Sequence, residues 1–273
     1  MKELTQTDVV VLGGGASGIA AAVAAAKSGL QVALIERNPF FGGSATAAEV
    51  GTICGLYKFS RKKSSEYIVG RFAKDFAERL KIKSGSEPLF NSSGLHYLPY
   101  HIEAFKKICS NLLDEHKVER FLNTELHSLN RSDTKIESVS VNTEGESFRF
   151  TMHSVIDCSG DGRLSQLADL PLIKSERYQA AAQVFTLQNL TETDEAILGF
   201  VLMKELRRAI KEKKLPHYFD RVYVVPGSLT DHCASFKIGL PLEVTHTPEN
   251  LHELKSVAHS FIHELTAYLV QQV

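Results

Sequence analysis

Asp8 to Gly18 reads D-V-V-V-L-G-G-G-A-S-G. Val9, Val10, Val11 and Leu12 are contiguous and apolar, the pattern of a strand in a parallel sheet covered on both faces. Gly13, Gly15 and Gly18 follow at once as G-x-G-x-x-G, Ala20 to Lys27 reads as an Ala-rich helix stopping near Gly29, and Gln31 to Ile35 is a second apolar strand. Together these predict a βαβ unit. Its first glycine permits a tight turn, the second lets backbone approach a pyrophosphate, and the third lets helix and strand pack closely. The alanine run would leave small side chains between helix and sheet. Unpaired N–H groups and the positive end of the helix dipole would then stabilise phosphate without Lys or Arg. Glu36, 18 residues after Gly18, closes the second strand where a carboxylate accepts from both hydroxyls of an adenosine ribose. This placement between strand and helix makes the motif a dinucleotide fingerprint; a tight structural turn is the alternative.

Working outward, the 273 residues carry 31 Lys+Arg against 32 Asp+Glu, a net charge of −1, with 43% hydrophobic residues. That apolar content allows a sizeable core and excludes disorder and small disulfide scaffolds. The charge balance gives no reason to expect nucleic acid or an anionic membrane as partner, which leaves a small molecule. No stretch reaches the roughly 18 apolar residues of a spanning helix, and Met1 to Asp8 lacks the apolar core of a signal peptide. Cys54, Cys109, Cys158 and Cys233 form no C-x-x-C pair, which fits reduced thiols and a cytoplasmic chain.

After Glu36 the chain continues Arg37-Asn38-Pro39-Phe40-Phe41-Gly42-Gly43-Ser44-Ala45-Thr46. A second Gly pair at this distance suggests another backbone approach to the diphosphate, although an ordinary flexible loop has the same composition. Here the sequence resembles the FAD-dependent oxidoreductases of the glutathione-reductase-like superfamily, particularly a branch related to fumarate reductase and succinate dehydrogenase flavoproteins. The resemblance rests on V-V-V-L-G-G-G-A-S-G, L-I-E-R and G-G-S-A-T, and on V-I-D-C-S-G-D-G at Val155 to Gly162. That last segment also reads as a strand followed by an Asp-Gly turn. The resemblance implies an α/β, Rossmann-like FAD/NAD(P)-binding βαβ fold with an inserted mixed α+β substrate or capping region. FAD would be bound by Gly13, Gly15, Ala16, Ser17, Gly18, Glu36, Arg37, Gly42, Gly43, Ser44 and Thr46. It further implies Leu126 against adenine, Gly160 for clearance and Asp161 for a polar contact. Some fumarate reductase relatives attach FAD through a His just after the Gly pair. Ser44 and Ala45 stand at that place, so a non-covalent flavin is expected.

Relatives of this kind continue well beyond 273 residues and end with a further glycine-containing segment that binds the ribityl and isoalloxazine groups. The implied choices are a fragment, a partner chain that supplies the missing part, or a protein that binds only the ADP half. The implied activity is hydride transfer between a small-molecule substrate and FAD. A non-catalytic FAD- or ADP-binding subunit that needs a partner chain stands beside it. So does an NAD-linked dehydrogenase, which leaves Gly42-Gly43 and Ser159 to Gly162 unexplained.

The expected division is 1–170 for the dinucleotide-binding domain, with a helical excursion at about 60–116, and 171–273 for an incomplete substrate or capping region. Helical spacing is predicted over Ser64 to Leu80, with Tyr67, Ile68, Phe72, Phe76 and Leu80 as its apolar stripe, and over Ile102 to His116. Ser92-Ser93-Gly94 reads as a linker. Short strands are predicted at Val118 to Leu122 and Leu126 to Leu129, a hairpin over Lys135 to Phe150 around Glu144-Gly145, a strand from Ser154 to Cys158 and a short helix from Arg163 to Ala168. Beyond them come strands at Ala181 to Leu187, Val222 to Val225 and Phe236 to Leu240, and a charged helix near Ala196 to Lys213. A final amphipathic helix, Pro248 to Val270, carries Leu251, Leu254, Val257, Ala258, Phe261, Leu265 and Leu269 on one face.

In flavoenzymes the isoalloxazine carries the electrons and protein groups position substrate and move protons. The stretch after Gly43 commonly runs past that ring, which brings forward Cys54, Tyr57 and Arg61. Cys54 is a reactive thiol or a small buried hydrophobe. The run Arg61-Lys62-Lys63 is a carboxylate clamp or a solvated surface. His96, Tyr97, Tyr100 and His101 are proton donors or hydrogen-bonded core residues. His259 and His263, four apart on the last helix, have no carboxylate or third His spaced to complete a metal site, so none is expected.

Overall fold

The computed structural model describes residues 4–143, 145–173, 178–245 and 247–270. The chain divides into two units with the boundary after Ile173.

The first unit runs β1 (Leu4–Leu12), α1 (Ala16–Lys27), β2 (Val32–Ile35), α2 (Ser44–Ala47), β3 (Thr52–Cys54), α3 (Arg71–Ser84), β4 (Leu89–Phe90), β5 (His96–Pro99), α4 (Ile102–Glu115), β6 (Glu119–Phe121), β7 (Thr124–Ser132), β8 (Lys135–Thr143), β9 (Glu146–Asp157) and α5 (Arg163–Leu167). Its main sheet has the order β6-β2-β1-β9-β8-β7. β6, β2, β1 and β9 are parallel, and β9, β8 and β7 are an antiparallel meander. β1 lies at its centre, with Val10 between Ala33 and Val155.

The contiguous apolar run of β1 works because successive side chains serve opposite faces. Val9 and Val11 join Val32 and Leu34 under α1 and α4, with Ile19, Val23, Phe105, Ile108 and Leu112. Val10 and Leu12 join Ala33, Ile35, Val139, Val141 and Phe150 on the other face. α1 does not present small residues alone, since Ile19 and Val23 share its buried side with Gly18 and Ala22. α4 buries Ala104, Phe105, Ile108, Cys109, Leu112 and Leu113; each large one contributes about 1.5–3 kcal/mol.

Three sequence expectations need correction. The helix expected from Ser64 begins only at Arg71: Tyr67 instead makes an isolated bridge with Tyr57, and Ile68 is 64% exposed. Ser92-Ser93-Gly94 is not a linker but the turn between β4 and β5, where the Asn91 side-chain oxygen accepts from the Ser93, Gly94 and Leu95 amides. The strand expected to begin at Ser154 is the last third of β9, a 12-residue strand, and it ends before Cys158. Glu144 of the expected hairpin turn lies outside the described residues.

The second unit contains β10 (Ala182–Leu187), α6 (Glu195–Lys211), a 3-10 turn at His217–Arg221, β11 (Val222–Val224), β12 (Ala234–Gly239) and α7 (Pro248–Val270). Its sheet, β10-β12-β11, is antiparallel. Asp194 caps α6 by accepting from the Ala196 and Ile197 amides, and Glu195 accepts from the Gly227, Ser228 and Leu229 amides. α7 buries Leu254, Ala258, Phe261, Leu265 and Tyr268, whereas Leu251, expected on that face, is 44% exposed. Phe261 stacks on Tyr218 at 4.2 Å. Among the described residues no helix is long and apolar enough to cross a membrane.

Candidate functional site

Three glycine turns meet at the carboxyl ends of β1, β2 and β9. Gly13 has φ +97°, and a Cβ there would overlap the Cys158 carbonyl. A Cβ on Gly18 would overlap the Gly13 carbonyl oxygen, so the third glycine seats α1 directly against the turn. The second turn approaches the first as backbone on backbone: the Gly42 amide donates to the Gly14 carbonyl at 2.8 Å, and a Cβ on Gly43 (φ +56°) would stand 2.8 Å from the Gly15 Cα. The Cys158 amide donates to the Leu12 carbonyl at 2.7 Å, fixing the third turn to β1.

The result is a cleft of about 680 Å³ whose walls include Gly13, Gly15, Ala16, Ser17, Glu36, Arg37, Gly42, Gly43, Ser44, Gly160 and Asp161. A second cavity of about 310 Å³ shares Gly13, Glu36, Arg37 and Asp161 with it and extends to Leu126, Arg163 and Gln166. Gly18 and Thr46 stand behind the wall. Thr46 is buried, and its hydroxyl lies 3.0 Å from the Phe41 carbonyl, to which it donates.

The cleft suits an elongated anion. Gly15, the N-cap of α1, has no side chain to offer the first-turn amides, and no acidic residue stands in that turn. The 12-residue helix therefore begins at the cleft wall with no side chain capping or neutralising its positive end.

Glu36 departs from the sequence reading in one respect. Its carboxylate is 4% exposed and already accepts three protein bonds, from the Gly14 amide at 2.6 Å and from the Asn38 amide and side-chain Nδ2 at 2.8 and 2.7 Å. A carboxylate offers about four acceptor positions. Three of these are taken by the protein's own groups, which fix the carboxylate's orientation.

Gly14 and Asn38 are thus site residues that the fingerprint passes over. A Cβ on Gly14 would stand 2.5 Å from the buried Phe41 ring. Asp157 is a third. Burial alone would raise its pKa, but bonds from the Ser159 hydroxyl and from the Ser159, Ser165 and Leu164 amides outweigh that and hold the carboxyl below its ordinary value. The available signal was an acid ending a strand, a Ser two residues on, and a helix start close behind.

The catalytic candidates are not in these walls. Cys54 and Arg61 are exposed. Tyr57 is buried and its hydroxyl donates to the Tyr67 hydroxyl at 3.2 Å; with Tyr67 it lines a separate cavity of about 300 Å³ beside Lys81 and Glu87. Burial raises the Tyr57 pKa despite that bond. His96 is buried, with Nε2 2.8 Å from the Ser60 carbonyl and Nδ1 2.8 Å from the Ser65 hydroxyl. A carbonyl only accepts, so Nε2 carries the proton and Nδ1 accepts from Ser65. Tyr100 donates to the Ala45 carbonyl at 2.9 Å, and burial raises its pKa. His252, His259 and His263 lie along an exposed side of α7.

No curated protein matches the chain by sequence. Among solved structures, a geranylgeranyl bacteriochlorophyll reductase-like protein from Thermoplasma acidophilum is similar, with 16% identity and a TM-score of 0.56 over 96% of this chain and 62% of that one. The THI4 protein of Thermovibrio ammonificans is 18% identical, with a TM-score of 0.43 over 61% of this chain and 64% of its own. This chain therefore spans less than two thirds of the length of either. A flavocytochrome c3 fumarate reductase is 16% identical, with a TM-score of 0.40 over 56% of this chain and 33% of its own. The model of the family described as FAD dependent oxidoreductase matches residues 8–255. Because that match takes in all three glycine turns and runs on into the second unit, the chain belongs to the FAD dependent oxidoreductase family, and FAD is its cofactor.

Proposed function

We infer that the chain holds FAD non-covalently in the cleft and takes part in hydride transfer to or from a small-molecule substrate. The observation that carries this reading is the convergence of three glycine turns on one cleft beside an uncapped helix amino terminus. FAD, when bound, supplies the two-electron chemistry. What this chain's residues contribute is binding and orientation.

In this reading the amides of Ala16 and Ser17 face the diphosphate, and Gly13, Gly42 and Gly43 give it backbone clearance. Glu36, held by Gly14 and Asn38, accepts one ribose hydroxyl. Arg37 stands at the same ribose. The backbone of Leu126 meets adenine, and Gly160 and Asp161, with Ser44, complete the wall. The region from 171 onward would form the substrate or capping part. No acid or base is assigned: Tyr57 and His96 are committed to protein partners.

The test is the visible spectrum of the purified 273-residue chain before and after denaturation. Flavin absorbance that is freed from the polypeptide on unfolding is expected. A colourless chain that binds ADP would favour a nucleotide-binding subunit completed by a partner chain, and preferential NAD binding would favour a dehydrogenase. Flavin retained by denatured protein would overturn the non-covalent assignment.

A further inference from the structure

We propose that Asp157 is a positioning residue for the dinucleotide: it shapes the Ser159–Gly162 turn that walls the cleft. This rests on the FAD reading above.

Asp157 is the last residue of β9, and Oδ1 accepts from the Ser159 amide at 3.0 Å and the Ser159 hydroxyl at 2.6 Å. Oδ2 accepts from the Leu164 amide at 3.0 Å and the Ser165 amide at 3.3 Å. The Ser159 Oγ in turn accepts from the Arg163 amide at 2.9 Å. The amides of Arg163, Leu164 and Ser165, the first turn of α5, are therefore all taken. These amides would otherwise lack an intrahelical partner; an internal carboxylate and its hydroxyl relay satisfy them.

The same bonds leave the middle of the turn available. Gln166 Nε2 donates to the Asp161 carbonyl at 2.7 Å, so the turn is gripped at both ends. Gly160 and Asp161 stand exposed between the grips as part of the cleft wall, and among the described residues none accepts from their amides. Nothing lies within 4 Å of a Cβ built on Gly160. A turn held at both ends, with two wall residues whose amides no described group takes, is preorganised, and its ordering cost is met before a ligand arrives.

The experiment compares wild type, Asp157→Asn and Ser159→Ala by FAD titration, under conditions where circular dichroism shows every variant fully folded, together with amide exchange at residues 163–165 of the ligand-free chains. The expected result is FAD affinity weakened roughly 10-fold in Asp157→Asn and roughly 3-fold in Ser159→Ala, with faster exchange at 163–165 in both. A global stability role would lower the melting temperature and leave the affinity of folded protein unchanged. Wild-type affinity in both variants overturns the positioning role and leaves the FAD reading intact. Should Asp157→Asn fold poorly, Ser159→Ala decides alone. Wild type that binds neither FAD nor ADP defeats the FAD reading itself, and the positioning role with it.

Discussion

The turn after β1 and the turn after β9 are neighbours built to one plan, strand to glycine turn to helix, yet they treat their helix amides in opposite ways. At α1 the N-cap is Gly15, which offers no side chain, and the first turn carries no acid. At α5 the first-turn amides are consumed by Asp157 and Ser159. The same backbone plan therefore leaves its helix-start amides met by side chains at one turn and not at the other. The side chains around each turn make the difference, and the 12-residue helix with the larger dipole is the one left open.

The sharpest way to break this contrast is to give the first turn a side chain. Gly18→Val would drive carbon into the Gly13 carbonyl and separate α1 from β1; a loss on the order of 4 kcal/mol is expected, read by urea unfolding, and most of the protein should become insoluble. Asp157→Ala attacks the turn after β9 by stranding four donors. Its expected cost is about 2–3 kcal/mol at pH 7, by the same measurement. The pH dependence has a definite sign. The folded carboxyl titrates below its unfolded value, so its contribution is complete above the unfolded pKa of roughly 3.9 and fades as pH falls through the folded one. The wild-type advantage should shrink in acid; an advantage that grew would contradict the assignment.

Glu36→Ala tests the ligand side of the open turn. A loss of about 1–3 kcal/mol in nucleotide affinity is expected from titration calorimetry, accompanied by some loss of stability because Gly14 and Asn38 lose their acceptor. Asn38→Ala removes one of the bonds that orient that carboxylate, and about 1 kcal/mol of affinity is expected to go with it. Smallest of all, Arg79→Ala cuts an exposed pair with Glu115 far from either turn; less than about 1 kcal/mol of stability and no change in affinity are expected.

The open turn was legible in the sequence because its information is local: the glycines, the strand and the acid at the end of β2 all fall within Asp8 to Glu36. The α/β class followed from the same residues. What could not be read was set by distant partners. Asn38 matters through Glu36, and Asp157 through amides up to eight residues ahead. The helix expected at Ser64 gave way to a bridge between Tyr57 and Tyr67, and the apparent linker at Ser92 to Gly94 was gathered by Asn91 into a hairpin turn. Periodicity also placed Leu251 on the buried side of α7, where only packing could exclude it.

The long strand β9 has a consequence for biosynthesis. Its residues Arg149 to Asp157 run alongside β1, while its earlier half closes on β8, so the first strand made waits for one of the last in its unit. Until the residues up to Asp157 have been made, the edge of β1 that β9 fills stays unpaired. Contacts of such long sequence separation form slowly, and a valine-rich strand unpaired on one edge is a template for association with other chains until its partner arrives.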